Sequence, residues 1–424
     1  MSAPSMPNLN TLRRGRGGLR GRARAPRGYP SGEDHPHDSD SWQAKDRIIQ
    51  GTDNDASISR LSAVELGYLE DQFARAVAPS ISSSSAQSTT SGPGTNVRRL
   101  PIINRGTYVR TTAIDELVNR FLEENDSDND QPPRKKQIIS LGAGSDTRVF
   151  RIFARRQREN RELPVYHEID LPANTASKIR AIRASPDLLQ LTIGIGPEGR
   201  NGEGETGRSV QVEVSDAGDA LHSANYHIHP VDLRTLAPPS GDEAESGTSS
   251  ASMSLPGVDT TLSTLLISEC CLVYLSPADA AGVVNYFAAR FPPSTPLGLI
   301  IYEPIRPNDP FGKTMVSNLA ARGIHLQTLH KYATLEAQRQ RLEEHGFSSG
   351  QGVADIDFIW NHWVSEKEKE RVAALEMLDE MEEWVLLARH YCLVWGWRED
   401  PDASGQSVYR RWKEVKSQDT EMDR

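Results

Sequence analysis

The chain has 424 residues, 37% of them hydrophobic, and a formal net charge of −10. Residues 1–30 hold seven arginines and no acid, which leaves 41 basic against 58 acidic residues elsewhere, a balance of −17 that argues against nucleic acid as the main substrate. No run approaches the roughly 18 apolar residues of a membrane span, and three cysteines without a Cys-x-x-Cys pair make neither a disulfide framework nor a zinc site, so we expect a soluble, cytoplasmic protein with no membrane contact and no metal.

Residues 1–45, rich in Arg, Gly, Pro and Ser, read as a disordered, solvated tail rather than an RNA-binding or targeting segment, because no aromatics interleave the arginines. Over residues 55–77 the apolar Ile58, Leu61, Val64, Tyr68, Phe73 and Val77 recur at helical spacing behind possible caps at Asp55 and Ser57. A Ser-rich stretch, 79–98, reads as a flexible insert, and the run 103–110 precedes a helix that reaches about Leu122. We assign 46–130 to an N-terminal helical region and 131–400 to one catalytic domain.

In that domain strands and helices alternate. Strands are expected at 137–142, 164–169, 226–231, 263–269, 297–303, near 353–358 and at 390–396, the pattern of a doubly wound, mostly parallel α/β sheet with helices on both faces. Segments 195–208 and 237–258 read as flexible inserts. Residues 366–389 read as one long charged helix with a core-facing stripe that includes Val372, Leu375, Leu378, Met381, Val385 and Leu386, and 401–424 as a C-terminal tail.

The strand ends carry the chemistry. Leu141-Gly142-Ala143-Gly144 is a strand that stops at a tight turn, where a ligand can approach the backbone. Asp146, just beyond it, would oppose a pyrophosphate at the mouth of the next helix and turns the reading toward a cationic cofactor, S-adenosylmethionine. Asp170, at the tip of the second strand before Pro172, suits a ribose. Asp232 is a candidate acceptor for an adenine amino group, with Leu233 packing on the ring. Glu269, inside an apolar run, should meet a cation or a set of donors, the cofactor ammonium and Arg110 being the competing cations. Ser276-Pro277 reads as a helix start, Cys270 and Cys271 as small buried hydrophobes, and His227 and His229 as strand residues rather than metal ligands.

These runs, with Ile103-Asn104-Arg105-Gly106, Glu269-Cys270, Leu272-Val273-Tyr274, Phe311-Gly312 and Leu378-Asp379-Glu380-Met381 leading to Arg389-His390-Tyr391-Cys392-Leu393, resemble the leucine carboxyl methyltransferases over about residues 50 to 397. The resemblance implies a seven-stranded S-adenosylmethionine-dependent methyltransferase sheet under an N-terminal helical lid. It implies methylation of the C-terminal leucine carboxylate on the catalytic subunit of protein phosphatase type 2A, by a monomer. It gives cofactor-binding roles to Arg60, Arg110, Gly142, Asp170, Asp232, Leu233 and Glu269, with Arg60 in place of a family lysine. Catalysis falls to Arg110, whose planar fork suits a carboxylate, with Tyr274 as a wall or donor. The alternatives are an O-methyltransferase acting on a small-molecule or tRNA carboxyl group, and a non-catalytic module that binds the phosphatase tail.

Overall fold

A computed structural model describes residues 38–78, 98–123, 135–193, 212–236, 254–400 and 407–418. The insert at 195–208 and most of the predicted tail, of the Ser-rich insert and of the insert at 237–258 lie outside them.

The N-terminal helices are α1 (Asp38–Glu65), α2 (Ala74–Val77) and α3 (Pro101–Leu122). The expected helix over 55–77 is therefore two helices. Asp55 and Ser57 are not caps, because α1 starts inside the segment assigned to the tail. Its end is fixed by Gly67 at φ 84 and by the buried Asp71 carboxylate, which accepts from Arg60, Thr147 and the Phe73 N–H. The run 103–110 belongs to α3 instead of preceding the helix, since Pro101 opens the helix at its first turn.

The sheet begins with β1 (Lys136–Leu141), followed by α4 (Arg148–Arg158), β2 (Val165–Asp170), α5 (Pro172–Ala184) and α6 (Pro186–Ile193). Next come β3 (Glu213–Val214), β4 (Leu221–His222), β5 (Tyr226–Pro230), β6 (Ser263–Glu269), α7 (Pro277–Arg290), β7 (Leu297–Pro304), α8 (Pro310–Ala320) and α9 (Leu335–Glu344). The chain continues through β8 (Gly350–Asp355), α10 (Ile356–His362), α11 (Glu366–Ala373), α12 (Met381–Arg389) and β9 (Tyr391–Arg398). Among the described residues strand order is β3-β4-β5-β2-β1-β6-β7-β9-β8, nine strands rather than the expected seven. The extra two, β3 and β4, are a two-residue antiparallel hairpin on the edge beyond β5. From β5 to β7 every pairing is parallel, and β9 runs antiparallel between β7 and β8.

Period-two alternation divides the apolar strand residues between two cores. Ile138, Leu265, Ile267 and Ile300 pack on one face, and Ile139, Leu141, Leu266, Leu299 and Ile301 on the other. Ser276 caps α7 by accepting from the Asp279 N–H, with Pro277 at the first turn as the sequence indicates. Strand β8 ends earlier than expected because Asp355 caps α10.

The predicted long helix over 366–389 is broken at 374–380. There the Glu376 carboxylate is drawn into the structure, 2.6 Å from an Arg98 nitrogen and 2.8 Å from Asn104 Nδ2. The stripe survives in part: Val372 is buried, whereas Met381 and Leu386 are exposed. Two segments expected to be peripheral contribute to the core. Leu255, at the end of the third insert, is buried, and in the C-terminal segment Tyr409 and Trp412 are buried, donating to Thr264 O at 2.7 Å and Leu117 O at 2.9 Å.

Four histidines stack across β2, β4 and β5. His167 Nδ1 lies 3.1 Å from His229 Nε2, and His222 Nδ1 lies 3.2 Å from His227 Nδ1. Burial and mutual repulsion push the pKa of His229 down to about 3 and that of His227 to about 4, which keeps the stack neutral. Among the described residues no group of three or more His, Cys, Asp or Glu is placed to hold a metal ion, and no helix is long and apolar enough to cross a membrane.

Candidate active site

The carboxyl ends of β1, β2, β5 and β6 open into one cavity of about 470 Å³, the size of a small-ligand site, with α1 and α3 as its opposite wall. Arg60, Arg110, Gly142, Asp170, Asp232, Leu233, Glu269 and Tyr274 all line it. Residues scattered over more than 200 positions of sequence are thus brought together because each ends a parallel strand or faces one from the N-terminal helices.

The glycine turn has no donor left for a phosphate. Gly142 N–H and Ala143 N–H donate to Ile169 O, at 2.8 and 3.4 Å. The Gly144 N–H donates to Asp170 Oδ2 at 2.6 Å, and the Ser145 N–H to Asp53 Oδ1 at 2.8 Å. This corrects the role expected of Asp146. Burial pushes its carboxyl pKa up, but the guanidinium groups of Arg148 and Arg60 outweigh that and hold it well below the usual carboxylate range. Its charge is therefore compensated, and the turn is closed to anions by Asp170 and Asp53 instead.

Asp170 accepts further hydrogen bonds from the Leu171 N–H at 2.7 Å and Asn174 Nδ2 at 2.9 Å. Burial raises its pKa, and these donors only partly offset that. A carboxylate oxygen accepts more than one donor, so the held group can still receive ligand hydroxyls. Asp232 is gripped by its own neighbour, with Arg234 Nε 2.9 Å from both carboxylate oxygens, and Leu233 lines the cavity while packing into the second core.

Glu269 meets two cations rather than one. Arg110 Nε donates to Oε1, and Arg148 Nη2 donates to Oε2 at 3.1 Å. Burial raises the Glu269 pKa, but the two guanidinium charges outweigh it, so the acid stays ionised. The terminal nitrogens of Arg110 have no hydrogen-bond partner among the described residues. Its guanidinium lies over Tyr302 at 4.9 Å, and Tyr302 stacks on Tyr391 at 5.7 Å. Tyr274 lines the cavity with Thr52, and burial pushes its phenol up. Burial also raises the Cys270 thiol to about 11 and the Cys271 thiol well above its ordinary value, so neither is a thiolate nucleophile. Arg60 pairs with Asp71 at 3.2 Å and Asp146 at 3.7 Å, which places its charge on the cavity wall without leaving it free.

The sequence reading missed Arg148, Asp53, Asn174 and Tyr302. Arg148 had a signal: a cation in the first turn of a helix opposes the dipole and needs carboxylates around it. Asp115, Asp146 and Glu269 supply them. Asp53 had none, because its partner lies 92 residues away.

The family model for leucine carboxyl methyltransferase matches residues 49–288. Leucine carboxyl methyltransferase 1 of Aspergillus fumigatus is 58% identical over 434 residues, covering 99% of each chain. The protein of that name in Emericella nidulans is 56% identical over 426 residues, covering 99% of this chain and 100% of its own. Among solved structures, phosphoethanolamine N-methyltransferase 2 of Haemonchus contortus with S-adenosyl-L-methionine is 11% identical at a TM-score of 0.35, covering 69% of this chain and 53% of its own, too loose a likeness to bear on function. With more than half of its length matched by the family model and its whole length by close relatives, this chain belongs to the leucine carboxyl methyltransferase family.

Proposed function

We propose that the chain uses S-adenosylmethionine to methylate the α-carboxylate of the C-terminal leucine on the catalytic subunit of protein phosphatase type 2A, in the cytoplasm. The donor set fits this cofactor. Asp170 is placed to accept from ribose hydroxyls, Asp232 and Leu233 to flank an adenine, and Glu269 and Arg110 to meet an ammonium and a carboxylate. A turn with no free N–H suits a cofactor without phosphate. When bound, S-adenosylmethionine supplies an electrophilic methyl group on a sulfonium.

A peptide carboxylate has a pKa of about 3.5 and is already ionised at neutral pH, so the site has no need of a general base. Its residues instead bind, orient and exclude water. The observation that carries the reading is Arg110: Glu269 fixes its Nε, which leaves the terminal nitrogens to clamp a carboxylate with two hydrogen bonds. Ile103, Ile356, Trp384, Leu387 and Ala388 line the same cavity and give an aliphatic side chain a dry seat. Tyr274 walls the space beside Cys270 and Cys271. The three cysteines are free thiols, in keeping with a reducing compartment.

The test is transfer of labelled methyl to the phosphatase catalytic subunit with and without its last leucine. Labelling is expected only on the intact subunit. Labelling that survives removal of the leucine would overturn the substrate assignment, and cofactor binding without any labelling would favour a non-catalytic tail-binding module.

A further inference from the structure

Helix α1 meets the strand-end machinery through two consecutive residues. Thr52 lines the cavity with Tyr274, beyond β6, and Asp53 reaches the glycine turn, beyond β1. The Asp53 contact is double, since Oδ1 accepts from the Ser145 N–H at 2.8 Å and from Ser145 Oγ at 2.7 Å. It also fills the space beside Gly144, where a Cβ would collide with the Asp53 carboxylate. The first glycine is crowded by a different group: a Cβ on Gly142 would lie 2.5 Å from Cys271 Sγ. Gly144 therefore stands bare against a side chain of the N-terminal helix.

We propose that Asp53 is a positioning residue that seats α1 on the glycine turn, completes the wall of the cofactor cavity and thereby sets how tightly the cofactor is held, and that this seat adds to the demand for glycine that a φ of 45 already makes at position 144. The proposal rests on the reading of the cavity as an S-adenosylmethionine site. Asp53 and Asp170 take the N–H groups of Ser145 and Gly144, so the turn is bracketed by carboxylates from the helix on one side and the sheet on the other. That bracket also puts negative charge along a wall that faces a sulfonium ligand. Helix α1 has independent anchors, with Ser62 on Asn104 at 2.8 Å and Arg60 on Asp71 at 3.2 Å, so removal of the Asp53 carboxylate leaves it packed.

The full chain is compared with Asp53→Ala, Asp53→Asn, Gly144→Ala and the double variant Asp53→Ala/Gly144→Ala, with S-adenosylhomocysteine binding followed by calorimetry and methyl transfer by steady-state kinetics. Asp53→Ala should weaken S-adenosylhomocysteine binding about tenfold, as loss of charge-assisted hydrogen bonds does, and raise the cofactor KM by more than it lowers kcat. Asp53→Asn, which keeps an acceptor oxygen, should recover most of that affinity. Gly144→Ala should be damaging alone, through its φ of 45 and the Asp53 carboxylate together, and the Asp53→Ala background should relieve the second part of that penalty but not the first. Unchanged affinity in Asp53→Ala, a fall confined to kcat, or a Gly144→Ala penalty equal in both backgrounds would overturn the proposal. If the unmodified chain binds no S-adenosylhomocysteine, the reading of the cavity fails instead. The same cycle read on unfolding midpoints then decides the seat, with additive penalties refuting it and non-additive ones supporting it.

Discussion

Replacing Arg148 by methionine keeps the side-chain volume and removes a charge that three carboxylates share. The side chain is 1% exposed and reaches Asp115 at 2.9 Å, Glu269 at 3.1 Å and Asp146. Breaking a buried ion pair by removing one partner costs about 3–5 kcal/mol. Here each acid keeps a second cation, Arg151 for Asp115, Arg110 for Glu269 and Arg60 for Asp146, so the lower end, about 3 kcal/mol, applies. That is a large share of a typical total of about 5–15 kcal/mol. The penalty must also depend on pH. All three carboxyls have folded-state pKa values below their ordinary ones, so the guanidinium contributes stability that is present above the unfolded pKa and lost as pH falls through the folded one. In Arg148→Met, burial is opposed by one cation fewer and the folded pKa values rise, which lets a proton replace the missing charge. At about 1.4 kcal/mol per pKa unit, the penalty should shrink by about 1–2 kcal/mol between pH 7.5 and 5.5. The assay is urea unfolding of both proteins at the two pH values. The histidine stack titrates alike in both and cancels in the difference. A penalty under about 1 kcal/mol at pH 7.5, or one that does not shrink at pH 5.5, would refute the reasoning.

The histidine stack makes the protein acid-sensitive. His229 has a folded pKa of about 3 against an ordinary 6.5, so its contribution is complete above the ordinary value and declines as pH falls below it, by about 2 kcal/mol at pH 5. Urea unfolding from pH 7.5 to 5 should show at least that loss, and His229→Gln, which cannot charge, should remove about 2 kcal/mol of it while His167 and His227 keep the rest. Arg110→Ala should lower methyl transfer by on the order of 100-fold or more while circular dichroism stays unchanged, and near-normal activity would remove Arg110 from the site. Arg110→Lys should restore little, because an ammonium cannot present a planar fork. Trp412→Ala should cost about 3–5 kcal/mol in urea unfolding, because the indole is buried and bonded to α3; a peripheral tail would cost almost nothing.

The seven main strands are legible because most are apolar runs closed by a turn or cap signal, and the site follows because ligands gather at the carboxyl ends of such strands. What stays hidden depends on partners far away in sequence. Periodicity carries a helix straight through 374–380, since nothing local shows that Glu376 is claimed by Arg98, 278 residues earlier. The segment at 407–418 looks like a polar tail until Tyr409 and Trp412 are seen to fill the ground beside Trp397. In the site, the strand-end acids could be named and Arg148 left a signal in its place at a helix start, whereas Asp53, which holds the glycine turn through Ser145, left none. Pairing charges within a buried cluster is a property of the assembled fold. A lone Asp-Leu or Asp-Thr pair does not reveal which arginine will answer it.

The place of β9 bears on how the protein is made. β9 is the last strand among the described residues yet lies between β7 and β8, so β8 has no partner and the outer edge of β7 stays open until residue 398 has been added. β7 is buried along its whole length in the finished fold, and during synthesis its outer edge is an open, apolar template. A ribosome that stalls or terminates after β8 releases a chain with two unpaired edges, a species prone to join others of its kind. Completion of one eight-residue strand separates a sticky nascent chain from a closed sheet, and abundance in the cell should be unusually sensitive to lesions in the codons for 391–398.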